Sequence, residues 1–181
     1  MKRFLFALVI GFLLVPGVVL ASTIRNVNTG MEVDNNSDNW PDGWSLGGDQ
    51  NGSGITTTNP HAGTNALELV SDGDLVQESL YDKCLSAACQ SSNHTLEACA
   101  WMRTDYTEVA LKWVQVIVYN GTTAVGEAHD IFPTGSHGWT QKCASVYVAG
   151  SYTEVDIRIF GSSYGDNPGS FIIDDAVLSQ L

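Results

Sequence analysis

The sequence predicts an all-β protein, a two-sheet antiparallel jelly-roll β-sandwich. Glycine and polar turn residues recur along the whole chain, and apolar and polar residues alternate in short runs between them. No stretch carries apolar residues at a convincing helical spacing. Six or more strands in about 150 residues must either pair two sheets or close into a barrel, and paired sheets with a jelly-roll path are the expectation adopted.

The elements follow in chain order. Residues 1–21 begin with Lys2 and Arg3, continue as an apolar run from Phe4 to Leu20, and end in small residues, with Val19 and Ala21 three and one positions before a plausible cleavage point. This reads as a secretory signal peptide and implies a secreted, extracellular or cell-surface protein. The alternative is a retained membrane anchor, since the run approaches the minimum of about 18 apolar residues for a span, although Gly11, Pro16 and Gly17 weaken it.

The remainder, 22–181, is read as one domain, without internal repeats or linkers. The Asn-rich MEVDNNSDNWPDGW reads as a loop. Strands are expected at 65–70 (NALELV), 95–103 (TLEACAWMR), 110–119 (ALKWVQVIVY), 140–148 (TQKCASVYV), 154–160 (EVDIRIF) and 171–178 (FIIDDAVL). Asn-Gly pairs at 51 and 120, Pro60, Pro133 with Gly135, and GSSYGDNPG at 161–169 separate them.

Side-chain parity sorts these strands into faces. Val114, Val116 and Val118 share one side of their strand, against Trp113, Gln115, Ile117 and Tyr119. Val155, Ile157 and Ile159 oppose Asp156, Arg158 and Phe160, and Leu96, Ala98, Ala100 and Met102 oppose Cys99, Trp101 and Arg103. The aliphatic sets form a consistent core, leaving a second face of flat aromatics mixed with Gln, Arg and Asp. In the last strand a strict period of two puts Ile172, Asp174, Ala176 and Leu178 on one face, so one carboxylate is expected to point into the core, where it needs a partner.

Charge narrows the partners. The chain has 8 Lys plus Arg and 20 Asp plus Glu; without Lys2 and Arg3 six basic residues face 20 acidic ones, a net charge of −14. Nucleic acid is excluded as a partner class, because its binding rests on neutralising phosphates. Neutral ligands and divalent cations suit the charge better.

The four cysteines, Cys84, Cys89, Cys99 and Cys143, allow three pairings in a compartment that permits disulfides. If Cys84 pairs with Cys89 across CLSAAC, Cys99 is left with Cys143 to join two expected strands. A metal site is the competing reading, but it lacks Cys-x-x-Cys spacing and a nearby His pair, so two structural disulfides are expected.

The succession of NTGMEV, WPDGW, HAGTNALEL, TLEACAWMR, GSHGWTQ and FIIDDAVL resembles the β-jelly-roll carbohydrate-binding modules of the family 4, 9 and 22 type, within the galactose-binding-like fold. The resemblance covers nearly all of 22–181. It implies a structural calcium tying the first strand to the last through Glu32 and through Asp174 or Asp175, with Asp174 favoured on parity and carbonyls supplied from 61–65. The competing reading is a carboxylate satisfied by backbone N–H groups or Arg. Trp44 and Trp139 match the family's structural tryptophans.

A sugar ring offers an apolar face of C–H groups and a rim of hydroxyls, so its receptor needs aromatic plates and rigidly held polar groups. Trp101 and Trp113 are the candidate plates, Gln115, Arg103, Arg158 and Asp156 the candidate hydroxyl partners, and Tyr119 suits either role. If their strands form one sheet, the face is a shallow groove suited to an extended glycan. Trp101 has a second reading, as a cover for a Cys99–Cys143 bridge.

No His-Glu-x-x-His or Gly-x-Ser-x-Gly pattern occurs, and His61, His94, His129 and His137 are scattered. The expectation is therefore a non-catalytic domain that binds a polysaccharide or oligosaccharide. The alternative is an extracellular structural or adhesion protein that self-associates through the aromatic face. Contact with a membrane is expected only if the N-terminal segment is retained. Sequons at Asn35, Asn51, Asn93 and Asn120 matter only in a glycosylating host.

Overall fold

The computed structural model describes residues 22–23, 28–47, 52–71, 75–82, 94–105, 111–162 and 169–181. Eleven strands build it: β1 (Ser22–Thr23), β2 (Trp44–Gly47), β3 (Gly54–Thr56), β4 (Ala66–Ser71), β5 (Leu75–Asp82), β6 (His94–Thr104), β7 (Leu111–Asn120), β8 (Thr123–Ile131), β9 (His137–Val148), β10 (Glu154–Ser162) and β11 (Gly169–Gln180). One sheet runs β3-β4-β11-β6-β9, with β1 also paired to β11; the other runs β2-β5-β10-β7-β8. All pairings are antiparallel, so the predicted two-sheet sandwich is found. The first is called sheet A and the second sheet B.

The core lies where the inner faces meet. Leu96, Ala98, Ala100 and Met102 of β6, with Phe171, Ile173, Ala176 and Leu178 of β11, pack in one cluster with Val114, Val116 and Val118 of β7 and Val155, Ile157 and Ile159 of β10. Burial of each larger side chain contributes roughly 1.5–3 kcal/mol, an upper figure because the unfolded chain already shields some apolar surface. The parity sets of β6, β7 and β10 point as their alternation predicts.

β11 departs from strict alternation. Its register with β6 shifts between Asp174 and Val177, and Asp175 adopts φ 47°, a left-handed conformation that Asp tolerates better than most residues. This β-bulge inserts one residue and reverses the phase of the strand. Phe171 and Ile173 point inward before it, and Ala176 and Leu178 after it. Asp174, expected to face the core, instead lies opposite Trp101 on the outer side of sheet A. It is nonetheless fully buried.

Besides β1, β2, β3 and β5, which were not among the expected strands, two further features escape the sequence-level reading. β8 forms a hairpin with β7 in which Asn120 faces Thr123, the turn being enabled by Gly121 at φ 63°. Lys112 of β7 points inward and is fully buried, its Nζ donating to the Gly135 carbonyl at 3.2 Å and lying 5.6 Å from the centre of the Phe171 ring. Cys84 and Cys89 lie outside the described residues, as do Asn51, Asn93 and the expected signal segment.

Candidate functional site

The antiparallel registers of β10, β7 and β8 arrange the outer face of sheet B in cross-strand rows. Phe160, Trp113 and Ile131 stand in one row, Arg158, Gln115 and His129 in the next, Asp156, Ile117 and Glu127 in a third, and Glu154 with Tyr119 in a fourth. An aromatic row thus adjoins a row of hydrogen-bonding groups.

Within the aromatic row the Trp113 and Phe160 rings stack, with centroids 3.9 Å apart and planes inclined by 17°. His129 approaches Trp113 diagonally at 6.0 Å. Trp113 is half-buried whereas Phe160 is buried beneath it, so Phe160 holds the indole in place rather than meeting solvent. Across the face, β8 residues Glu127, His129 and Ile131 are exposed, Gln115 of β7 is half-buried, and Asp156 and Phe160 of β10 are buried. Exposure on this face thus falls from β8 toward β10.

On its buried side, Arg158 Nη2 donates to Asp156 Oδ2 and to the Tyr119 hydroxyl, both at 3.0 Å. Asp156 is fully buried, and its Oδ1 has no partner among the described residues. Burial pushes the Asp156 carboxyl above the usual aspartate range; Arg158 pulls it back, and the neighbouring Glu154 adds to the rise. The ion pair and the hydrogen bond tie Arg158 to Asp156 and Tyr119, which gives this face a rigid polar group.

Of the seven candidate ligand residues, Trp113, Gln115, Tyr119, Asp156 and Arg158 are therefore assembled on one face. Trp101 and Arg103 are not part of it, because β6 belongs to sheet A and points them to the opposite outer face. The single groove made from all seven is thus replaced by two separate surfaces. The Trp101 ring is covered by His61, stacked at 4.0 Å and 18°, with Trp139 edge-on to His61 at 5.4 Å. Arg103 forks onto Asp105 at 2.8 and 2.9 Å.

The same side of sheet A holds the three acids considered for calcium. Asp174 Oδ2 accepts from the backbone N–H of His61 at 2.9 Å and of Ala62 at 3.0 Å, and Oδ1 accepts from Asp175 N–H at 2.7 Å. Burial raises the Asp174 pKa, the three N–H donors counter it, and the Asp175 charge adds to the rise. Asp175 Oδ2 meets His61 Nδ1 at 2.7 Å. Glu32 Oε1 accepts from Thr64 and Asn65 N–H at 2.7 and 3.1 Å, an approach that Gly63 permits because a Cβ there would overlap the carboxylate. The backbone donors meet the need of the buried Asp174 for partners. Glu32, Asp174 and Asp175 converge around Gly30, although they do not bring their oxygens into one tight three-carboxylate cluster. A cation there needs backbone carbonyls as additional ligands, the donor set a hard ion accepts.

Cys99 and Cys143 face each other across β6 and β9 on the outer side of sheet A and form a disulfide, with Cα atoms 4.1 Å apart.

His129, Phe160 and His61 are the site-forming residues that sequence reasoning left out. Phe160 shares the parity of Asp156 and Arg158, so alternation already points to it; His129 required β8 to be identified as a strand.

No family model matches the chain, and no curated protein matches it. Solved structures do. The carbohydrate-binding module TmCBM61, in complex with β-1,4-galactotriose, matches with TM-score 0.58 and 15% identity over 83% of this chain and 94% of that one. A family 16 carbohydrate-binding module matches with TM-score 0.57 and 17% identity over 84% of this chain and 96% of that one. A cyclase from Fischerella sp. TAU matches with TM-score 0.62 and 11% identity over 90% and 98%. At these identities the likeness shows a common fold, that of the jelly-roll carbohydrate-binding modules, on which cyclases are also built.

Proposed function

We propose that this chain is an exported, non-catalytic carbohydrate-binding domain that holds an uncharged polysaccharide or oligosaccharide on the outer face of sheet B. The observation that carries this reading is Trp113 backed by Phe160 and adjoined by the Arg158–Gln115–His129 row. An indole held from beneath offers its other face to the C–H surface of a sugar, and the neighbouring row offers donors and acceptors for the hydroxyls. The carbohydrate-binding modules among its structural neighbours support the same ligand class. Acidic glycans fit poorly: Asp156 neutralises Arg158, and among the described residues no cation pairs with Glu127 or Glu154 on the face.

The test is titration of the mature chain, 22–181, with neutral glucans, xylans, mannans and galactans, following tryptophan fluorescence, with pectate and alginate as acidic controls. Saturable binding to a neutral glycan without release of products is the expected result. No fluorescence change with any glycan refutes the reading.

A structural calcium at Glu32, Asp174 and Asp175 is part of the proposal. Burial first, and the neighbouring Asp175 charge after it, raise the Asp174 pKa, and a divalent cation beside the two carboxylates would offset both. The second reading, self-assembly through the same face, is supported by Val125 and Ile131, 45% and 46% exposed on the edge strand β8. Sedimentation of the glycan-free protein as a defined oligomer dispersed by Trp113→Ala favours that reading instead.

A further inference from the structure

Beyond glycan binding, the outer face of sheet A carries a second set of groups with a chemistry of its own. Cys99 and Cys143 are direct cross-strand partners, and the two sulfurs and a Glu97 carboxylate oxygen all lie within 4.8 Å of one another. Glu97 precedes Cys99 by two positions and so projects from the same face of β6. Its register partner is Ser145, whose hydroxyl donates to Glu97 Oε2 at 2.9 Å and orients the carboxylate. All three groups are half-buried, shielded yet within reach of solvent.

We propose that the reduced protein binds one borderline-soft divalent ion, of the zinc or cadmium class, through Cys99, Cys143 and Glu97, so that the disulfide and the metal are alternative occupants of one site. A dithiol reductant delivers two electrons and two protons to the bridge, becoming a disulfide itself and leaving two thiols. Binding the ion then displaces the two thiol protons, since the thiolate is the ligand form.

The geometry suits this exchange. Two thiolates on one tetrahedral zinc are about 3.8 Å apart, from metal–sulfur bonds of about 2.3 Å. Backbones already 4.1 Å apart at Cα can present two sulfurs at that separation without strand movement. Glu97 adds a third ligand, steadied by Ser145 in the manner of an outer-shell hydrogen bond, and a water completes the tetrahedron. Calcium, which prefers six to eight oxygens, is not a competitor here.

The test uses the full mature chain, reduced with a phosphine and titrated with cadmium while thiolate-to-metal absorption is followed. Reduced protein is expected to take up one equivalent that the oxidised protein does not, and Cys99→Ser/Cys143→Ser is expected to lose that equivalent with Cys84 and Cys89 kept. Glu97→Gln, which retains both cysteines, is expected to weaken this equivalent about tenfold or more. In reduced wild-type protein, zinc is expected to slow re-formation of the Cys99–Cys143 bridge at least tenfold, a readout that needs no variant to fold. Unchanged cadmium uptake in the double serine variant overturns the proposal. So does re-oxidation at the same rate with and without zinc.

Discussion

The Trp113 indole lies on the Phe160 ring at a centroid distance of 3.9 Å, a stack formed across β7 and β10 by directly paired residues. One face of the indole is thereby occupied and the ring cannot turn freely. Trp113→Ala is expected to cost about 2 kcal/mol or more of glycan affinity, a factor of roughly 30 in Kd, because it deletes the anchor itself. Phe160→Ala is expected to weaken binding less, by loosening the plate, while destabilising the fold by about 3 kcal/mol through the buried space it empties. Calorimetric titration and thermal melts of both variants separate the two roles.

The Asp156–Arg158 pair makes a different prediction. Removing Arg158 strands a buried carboxylate beside Glu154, whereas removing both charges does not. Arg158→Met is expected to destabilise by about 3 kcal/mol, while Asp156→Asn/Arg158→Met is expected to stay near wild type in stability. Both lose the hydrogen bond to Tyr119 and both weaken glycan binding. Chemical denaturation of the single and double variants checks the stability contrast. Equal destabilisation of the two means that Asp156 does not depend on Arg158.

Most of the longer strands were legible because burial on one side imposes alternation, although β5, interior to sheet B, was not among those expected. β6, β7 and β10 carry Ala, Val, Leu and Ile at every second position, and the structure follows them. β8 was not legible: it is an edge strand whose inward positions are Gly126, Ala128 and Asp130, too small or too polar to show an apolar alternation, and Asn120-Gly121 was its only signal. Parity also tells which side of its own sheet a residue takes, not which sheet the strand joins. For this reason Trp113, Gln115, Tyr119, Asp156 and Arg158 were correctly grouped, and Trp101 and Arg103 were grouped with them although β6 lies in the other sheet. The phase reversal at Asp175 was invisible for a related reason, since a positive φ at one aspartate leaves no periodic trace.

The Asp174 carboxyl provides a test of the proposed calcium through the sign of a pH dependence. In chelated protein burial holds its folded pKa above the ordinary aspartate value, so the folded state favours the protonated acid. The stabilising contribution is complete below the unfolded value and is lost as pH rises through the folded one. Acidifying from neutrality is therefore expected to recover stability in wild type, and less so in Asp174→Asn; subtraction removes the parallel contribution of Asp156, whose pKa is raised too. With calcium bound, the ionised form is the favoured one and the slope changes sign. Thermal melts across this range, with calcium and with chelator, give the answer. A slope indifferent to calcium excludes the ion from Asp174.

Lys112 carries the last prediction. Burial lowers its pKa from 10.5 to about 8, and among the described residues no carboxylate pairs with it. The folded state thus favours the neutral amine: below pH 8 it bears the full cost of a buried ammonium, and the cost is relieved as pH rises from about 8 toward 10.5. Lys112→Met keeps the aliphatic stem against Phe171 and removes the charge, at the loss of the hydrogen bond to Gly135. The substitution is expected to stabilise the protein at pH 7 by roughly 1–2 kcal/mol, the shift being equivalent to about 3 kcal/mol and the lost hydrogen bond to about 1. Its stability is also expected to stay level between pH 8 and 10, where that of wild type climbs. His137 supplies an independent readout. Its pKa is lowered chiefly by burial and further by the charge of Lys112, so Lys112→Met is expected to move the imidazole titration upward. An unchanged His137 titration together with a loss of stability at neutral pH means that Lys112 is paired in the folded protein and that its ammonium contributes to holding the two sheets together.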